Sequence, residues 1–256
     1  MNSSDRRTFL WRLTWATAGL FLSGCDRLTN SRAANTVLDK AEFLNLRIRN
    51  ALFRKTLATE YSPDDISTNF RANGSINPDS DIYQKLAANG FVDWRLQVGG
   101  LVDNPLELSL ADLRQLPART QITRHDCVEG WSCIAKWRGV QLKTLLDQAG
   151  LKTAARYIAF FCADELEKRS DGAGQFYETI DLDDAYHPQT ILAYEMNDQV
   201  LPIAHGAPLR LRLERQLGYK MAKYVMRIEA IDSFAKIGLG KGGFWEDRGY
   251  QWYAGI

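Results

Sequence analysis

The chain has 256 residues, with 32 basic and 31 acidic side chains, and 45% of it is hydrophobic. That length buries one generous core, so one folded domain is the expectation, and the sparse set of four cysteines is no disulfide scaffold. A formal net charge of +1 gives no global field for nucleic acid, so nucleic-acid partners are excluded and any anion site must be built locally.

At the N-terminus, Asp5-Arg6-Arg7-Thr8-Phe9-Leu10 precedes an apolar run from Leu13 to Leu22. A run of about ten residues is too short to span a bilayer and fits the apolar stretch of an export signal. Paired arginines ahead of it form a twin-arginine signal, a receptor-read address for bacterial export. Residues 1–25 are therefore expected to be a signal peptide and the body to be periplasmic. Leu22-Ser23-Gly24-Cys25 resembles a lipobox, in which Cys25 would carry a lipid anchor; ordinary cleavage, or none, stays open. Setting aside Arg6, Arg7, Arg12 and Asp5 takes the 32 basic and 31 acidic residues to 29 and 30, a near-neutral body.

Residues 26–66 read as a tether and helical arm, because Leu38, Phe43, Leu46, Ala51, Leu52 and Phe53 fall loosely on helical spacing until Ser62-Pro63-Asp64-Asp65 breaks it. The body, 67–256, opens with Asn69-Phe70-Arg71-Ala72-Asn73-Gly74. Trp94 to Val98 alternates as a strand, and Ser109 with Asp112 caps a helix that stops before Pro117. Leu142 to Ala149 is a second helix with Gly150 as its stop, and Tyr157 to Cys162 reads as a buried strand. Ile191–Tyr194 and Val200-Leu201 pair across Asn197-Asp198. Leu209, Leu211 and Leu213 alternate with Arg210, Arg212 and Glu214, and Tyr224 to Ile231 alternates again. Many strands with few short helices and no βαβ rhythm predict an α+β fold with mixed β-sheets. Gly238-Leu239-Gly240-Lys241-Gly242-Gly243 lacks the spacing of a nucleotide loop.

The chemistry centres on Cys127, in Arg124-His125-Asp126-Cys127-Val128-Glu129-Gly130-Trp131-Ser132. A thiolate is a soft ligand that selects soft or redox-active metals. Cys25, Cys133 and Cys162 are not paired with it at metal-ligand spacing, and neither they nor the three histidines show a zinc-finger pattern. A lone cysteine ligand therefore calls for a metal whose other ligands come from a cofactor. Arg124 and His125 are candidates to favour the thiolate, against the alternative of ordinary strand positions. Arg210 suits a bidentate phosphate contact and Lys223 a point-charge one, with Arg212 as runner-up by its two-residue spacing.

The Cys127 motif, then Asp181-Leu182-Asp183-Asp184-Ala185-Tyr186-His187-Pro188, His205-Gly206-Ala207-Pro208-Leu209-Arg210 and Gly218-Tyr219-Lys220-Met221-Ala222-Lys223, resembles the sulfite oxidase-type molybdopterin enzymes over roughly residues 67–235. Within them it looks closest to the periplasmic methionine sulfoxide reductase catalytic group. The resemblance implies that fold and a molybdenum–molybdopterin cofactor, with Cys127 as the protein ligand to molybdenum and catalytic residue. It implies phosphate contacts at His205, Arg210 and Lys223 beside Met221 and Ala222, and a pterin contact from Asn69 or Asn73 in the stretch that includes Phe70 and Arg71. Cys162 stands where the relatives carry a threonine that touches the cofactor, a weaker donor in its place.

The resulting expectation is a monomeric, exported oxidoreductase performing two-electron oxygen-atom transfer on a small substrate, a sulfoxide or N-oxide. Its electron partner is expected to be a haem-containing cytochrome, membrane-bound or soluble, because the chain has no haem-attachment motif of its own. Sulfite oxidation is the alternative, and it requires Arg71, Arg124 and Arg169 around the thiol; a cofactor-free binding protein of the same fold is a third reading. The aromatic tail Phe244–Tyr253 is either a cover over the site or a separate apolar cluster.

Overall fold

The computed structural model describes residues 56–256 continuously and scattered positions before them, of which 34, 36–38, 40–41, 44–45 and 48 are helical. The signal and lipobox assignments lie outside the described residues. The chain divides after Arg54 into two compact units, and the sheets and the candidate site belong to the second, Lys55–Ile256. Within that unit, segment 56–66 is hydrogen-bonded to the body: Ala58 exchanges backbone bonds with the Gln189 side-chain amide, and Glu60 bridges Thr123.

Local signals place most elements. The helices are α1 (Asp81–Ala88), α2 (Leu110–Gln115), α3 (Leu142–Ala149) and α4 (Leu182–Ala185). Ser109 and Asp112 exchange side-chain and backbone bonds at 3.1 and 2.8 Å, the reciprocal cap that opens α2 and stabilises it by about 1 kcal/mol. Gly150, at φ +67°, stops α3. The strands are β1 (Leu96–Gly100), β2 (Leu106–Leu108), β3 (Ala118–Asp126), β4 (Ser132–Gln141), β5 (Tyr157–Glu165) and β6 (Gln175–Asp181). They continue with β7 (Ile191–Met196), β8 (Gln199–Val200), β9 (Arg210–Arg212) and β10 (Val225–Ile231). Asn197 and Asp198, both at positive φ, turn β7 into β8 as the sequence predicts.

Two sheets result, one mixed and one wholly antiparallel. One sheet runs β2-β1-β10-β5-β6, with β1 parallel to β10 and the other pairs antiparallel. The other runs β3-β4-β7-β8, with β9 pairing the first half of β7. The main core takes Leu96, Ile158, Phe160 and Ile228 from the first sheet and Val140, Leu192 and Tyr194 from the second, with Leu145 and Leu146 of α3. The period of two sends the alternate residues of the second sheet to its other face. There Ala135, Trp137, Ile191 and Ala193 form a smaller cluster closed by Phe70 and Ala207.

β9 joins the two clusters. Leu211 faces the main core, while Arg210 and Arg212, opposite Ala193 and Ile191, fall on the Trp137 face. Both arginines are fully buried, so the polar stripe of this strand is an interior surface and not a solvated one. The Asp181–Pro188 motif is structural: Asp181 caps α4 by accepting the Asp184 N–H, and Asp184 accepts from Arg215 and Gln216.

Candidate functional site

Cys127 sits on the turn between β3 and β4. Its N–H donates to the Trp131 carbonyl at 2.9 Å, and the Gly130 N–H returns to the Cys127 carbonyl at 3.0 Å. Gly130 closes the turn at φ +86°, a region L side chains disfavour. The thiol is buried, 8% exposed, and faces a cavity of about 240 Å³. Burial pushes its pKa up; the Glu129 backbone N–H and the charge of Arg71 pull it down, and the Glu129 carboxylate opposes them.

Neither neighbour on β3 supplies the charge that the sequence offered. Alternation along the strand turns Arg124 outward, where it pairs with Asp126 at 2.9 Å. His125 turns inward and is fully buried. Burial, with Arg210 and Arg212 adding to it, holds the His125 pKa well below the imidazole range, so the ring is neutral. It contacts Met221 Sδ at 3.3 Å and Arg212 Nη1 at 3.2 Å through Nδ1. Gly218 lies directly over it: a Cβ there would stand 2.2 Å from the ring.

Of the residues predicted from sequence, Cys127, Asn73, Met221 and Lys223 line this one cavity. Lys223 donates to the carbonyls of Asn73 (2.7 Å), Ser75 and Ala204 (3.4 Å). Burial, and Arg210 after it, lower its pKa to about 7. Asn73 shows a buried Oδ1 without a partner among the described residues, whereas Asn69 is exposed and its carbonyl accepts from Cys133. Asn73 is thus the asparagine at the cavity.

His205 and Arg210 are not on the cavity wall but adjoin Lys223, which donates to the carbonyl of Ala204, next to His205 in the chain. Arg210 Nη1 donates to the His205 carbonyl at 3.0 Å, and the guanidinium lies 5.3 Å from the centre of the Trp137 ring. Its Nε and Nη2 have no partner among the described residues, nor does His205 Nδ1. Burial and the nearby Arg212 lower the Arg210 pKa to about 9, and burial with Arg210 lowers that of His205 to about 4. Phe70 wedges between the rings of His205, His125 and Trp137, each at 5.5 to 5.7 Å. Arg212 is different: Glu214 takes it bidentately at 2.9 and 2.6 Å. The charge of Arg212 is therefore paired, while Arg210 keeps two buried nitrogens without a partner among the described residues.

Three candidates lie elsewhere. Ala222 is buried behind Met221, with its carbonyl bonded to Leu211. Cys162 is buried in the main core, its thiol pushed well up by burial, and it is not on the cavity wall; Asp164, two residues on, is. Arg71 lies over the Trp131 ring at 5.4 Å. Arg124 and Arg169 are exposed and paired with Asp126 and Asp171, so of the three arginines named for sulfite Arg71 is the one whose charge acts on the Cys127 thiol.

Sequence reasoning missed Asp164, whose carboxyl burial pushes up to about 7 against the pull of Lys223. Its only signal was period two: strand parity puts it on the same face as Phe160 and Cys162. Lys220, which stands with Lys223 in one basic motif of the sequence, is instead buried between Glu178 and Glu246.

Residues 84–236 match the family model described as the oxidoreductase molybdopterin binding domain. An Azospira oryzae protein, provisionally named protein-methionine-sulfoxide reductase subunit YedZ1, is 34% identical over 98% of this chain and 87% of its own length. The protein-methionine-sulfoxide reductase catalytic subunit MsrP of Campylobacter jejuni is 29% identical over 66% of this chain. That of Ralstonia nicotianae is 34% identical over 54%. The chain spans 60% and 44% of the lengths of these two MsrP relatives.

Proposed function

The chain belongs to the oxidoreductase molybdopterin-binding family, and from that premise we propose that it reduces sulfoxide- or N-oxide-type substrates by oxygen-atom transfer, with Cys127 as the protein ligand to molybdenum. It is a molybdenum-dependent oxidoreductase of sulfite oxidase-type α+β fold, and its cofactor is molybdenum–molybdopterin. One observation carries the assignment of residues. A buried thiol and a buried ammonium face one cavity, and behind the ammonium lies a guanidinium with two unpartnered nitrogens.

The donor set fits the cofactor. Orphaned buried donors beside a lysine whose hydrogen bonds go to backbone carbonyls cost free energy unless an anion completes them. The cofactor's phosphate would supply that anion, held by the unpartnered Arg210 nitrogens, by Lys223 as a point charge and by His205. Asn73 Oδ1, buried and without a partner among the described residues, would accept from the pterin. At the other end, ligation requires the thiolate of Cys127, and the Glu129 N–H and Arg71 favour it against burial.

When bound, the cofactor supplies a molybdenum that exchanges an oxygen atom and two electrons with the substrate. Reducing a sulfoxide takes two protons and two electrons and yields a thioether and water. Asp164 holds a proton on the cavity wall near neutral pH. The buried guanidinium and the packed Phe70–Trp137–His205 cluster hold the site's shape. Electrons come singly from a haem cytochrome, and the twin-arginine signal sends the loaded, monomeric protein to the periplasm.

Metal analysis of protein from a host that makes the cofactor tests this reading. About one molybdenum per chain is expected, and Cys127→Ser is expected to stay folded with turnover reduced at least about a thousandfold. Full turnover in that variant, or less than roughly a tenth of a molybdenum per chain in the parent, overturns it.

A further inference from the structure

The cofactor candidates account for only part of the cavity wall. Leu166, Phe176, Tyr219, Trp245 and Tyr250 form another part, and all five are apolar or aromatic. Trp245 and Tyr250 come from the C-terminal segment beyond β10.

That segment is fixed at several points. Lys220 donates to Glu246 at 2.6 Å, and Arg248 grips Glu167 at 2.8 and 2.6 Å. The Leu217 N–H donates to Ala254, and the Tyr219 hydroxyl to the Gln251 carbonyl at 2.7 Å. The rings then touch in series. Phe176 stacks on Phe244 at 5.8 Å, and Phe244 meets Trp245 edge-on at 5.2 Å. Trp245 stacks on Tyr250 at 5.3 Å, and Tyr250 meets Tyr219 edge-on at 5.1 Å. A wall built this way holds its shape before any ligand arrives, so little ordering opposes binding.

Its chemistry selects a class of ligand. Ring faces carry partial negative charge and attract sulfur and apolar groups. Glu129 also lines the cavity, its carboxylate accepting from the Trp131 indole N–H at 2.9 Å, and Lys223, the one cationic lining residue among those described, is assigned to the cofactor phosphate. No arginine lines it among the described residues. We propose that Trp245 and Tyr250 are specificity-determining residues that seat the apolar substituent of a neutral sulfoxide and disfavour small oxyanions. The inference rests on the proposed sulfoxide reduction and goes beyond it in naming which part of the chain chooses the substrate.

The test uses the molybdenum-loaded enzyme with reduced viologen as donor, and compares methyl p-tolyl sulfoxide with dimethyl sulfoxide. Tyr250→Ala and Trp245→Ala are expected to raise KM for the tolyl substrate about tenfold, to leave KM for dimethyl sulfoxide within about twofold, and to change kcat little. Molybdenum per chain, measured for each variant, stays at the parent level. Tyr250 is 38% exposed, so its removal leaves the fold intact, and Trp245→Phe is expected to fall between parent and alanine. Calorimetric binding of the unreactive methyl p-tolyl sulfone is expected to weaken in parallel. Equal KM changes for both sulfoxides, or none for either, overturn the specificity role alone. A parent enzyme that binds the sulfone through Trp245 yet reduces neither sulfoxide overturns the sulfoxide reading and keeps the wall. A parent that neither reduces the sulfoxides nor binds the sulfone overturns both.

Discussion

Replacing Lys220 with methionine removes the cation from a buried triad and leaves two carboxyls facing each other. Lys220 Nζ donates to Glu178 at 2.5 Å, Glu246 at 2.6 Å and the Thr179 carbonyl at 3.1 Å, and all three charged side chains are at most 1% exposed. Burial works against the Lys220 ammonium, but Glu178 and Glu246 outweigh it and hold its pKa above the ordinary lysine value. Burial pushes Glu178 well above the carboxylate range, with Glu246 adding and Lys220 opposing. The Oε2 atoms of both glutamates have no partner among the described residues. Removing one partner of such a pair costs about 3–5 kcal/mol. At about 2–4 °C per kcal/mol in a body of this size, the expected fall in Tm is on the order of 10 °C.

The pH dependence separates this cause from simple loss of packing. In the unfolded chain Glu178 titrates near about 4.3, whereas in the folded variant, without Lys220, it keeps its proton to higher pH. Above about pH 5 the folded state then binds a proton that the unfolded state has released. Stability falls as pH rises toward the raised pKa, by at most about 1.4 kcal/mol per pH unit. Thermal melts of the apoprotein at pH 5, 6.5 and 8 are expected to show a small deficit at the first and the full one at the last. Adding Glu178→Gln to Lys220→Met is expected to recover most of the loss at pH 8. A deficit equal at all three pH values, or no recovery by the second substitution, refutes the electrostatic account.

The remaining predictions concern the site itself. Arg210→Leu is expected to lower pterin content at least tenfold, read by fluorescence of released pterin, while the apoprotein melts several degrees higher because an uncompensated buried charge is gone. Lys223, with its pKa at about 7, should bind inorganic pyrophosphate more tightly at pH 6 than at pH 8 in calorimetry on the apoprotein. Because that pKa is lowered from 10.5, the unfolded chain binds the extra proton between the two values, so the lysine destabilises the apoprotein increasingly as pH falls from 10.5 to 7. Gly218→Ala drives a methyl into the buried His125 ring and is expected to cost about 1–3 kcal/mol in chemical denaturation, with reduced cofactor loading.

Much of this was legible in the residues because local rules governed it. The cap at Ser109, the stop at Gly150 and the turn at Asn197-Asp198 depend on side chains and backbone within a few positions. The strand boundaries shifted by a residue or two, as with β1, which starts at Leu96 and not at Trp94, because ladder pairing ends them and not composition. The nature of the Leu209–Leu213 stripe was not legible. Alternation is the same whether the polar face meets water or a second core, and only the cover of Phe70 and Trp137 decides it.

The sequence by itself determined the kind of site: a lone thiol, a basic cluster and ordered motifs that mark a molybdopterin enzyme. Tertiary structure alone decided which members reach the cavity or keep unpartnered donors among the described residues. Arg210 and Arg212 are equivalent by spacing, but Glu214 folds back onto one and leaves the other open. Asn73 and not Asn69 reaches the cavity, and His125 is neutral because burial and two guanidiniums forbid its charge. The tail aromatics join the wall because Lys220 and Arg248 fasten a segment distant in sequence. Charge state, partner and access depend on what lies across the fold, and spacing along the chain carries no record of that.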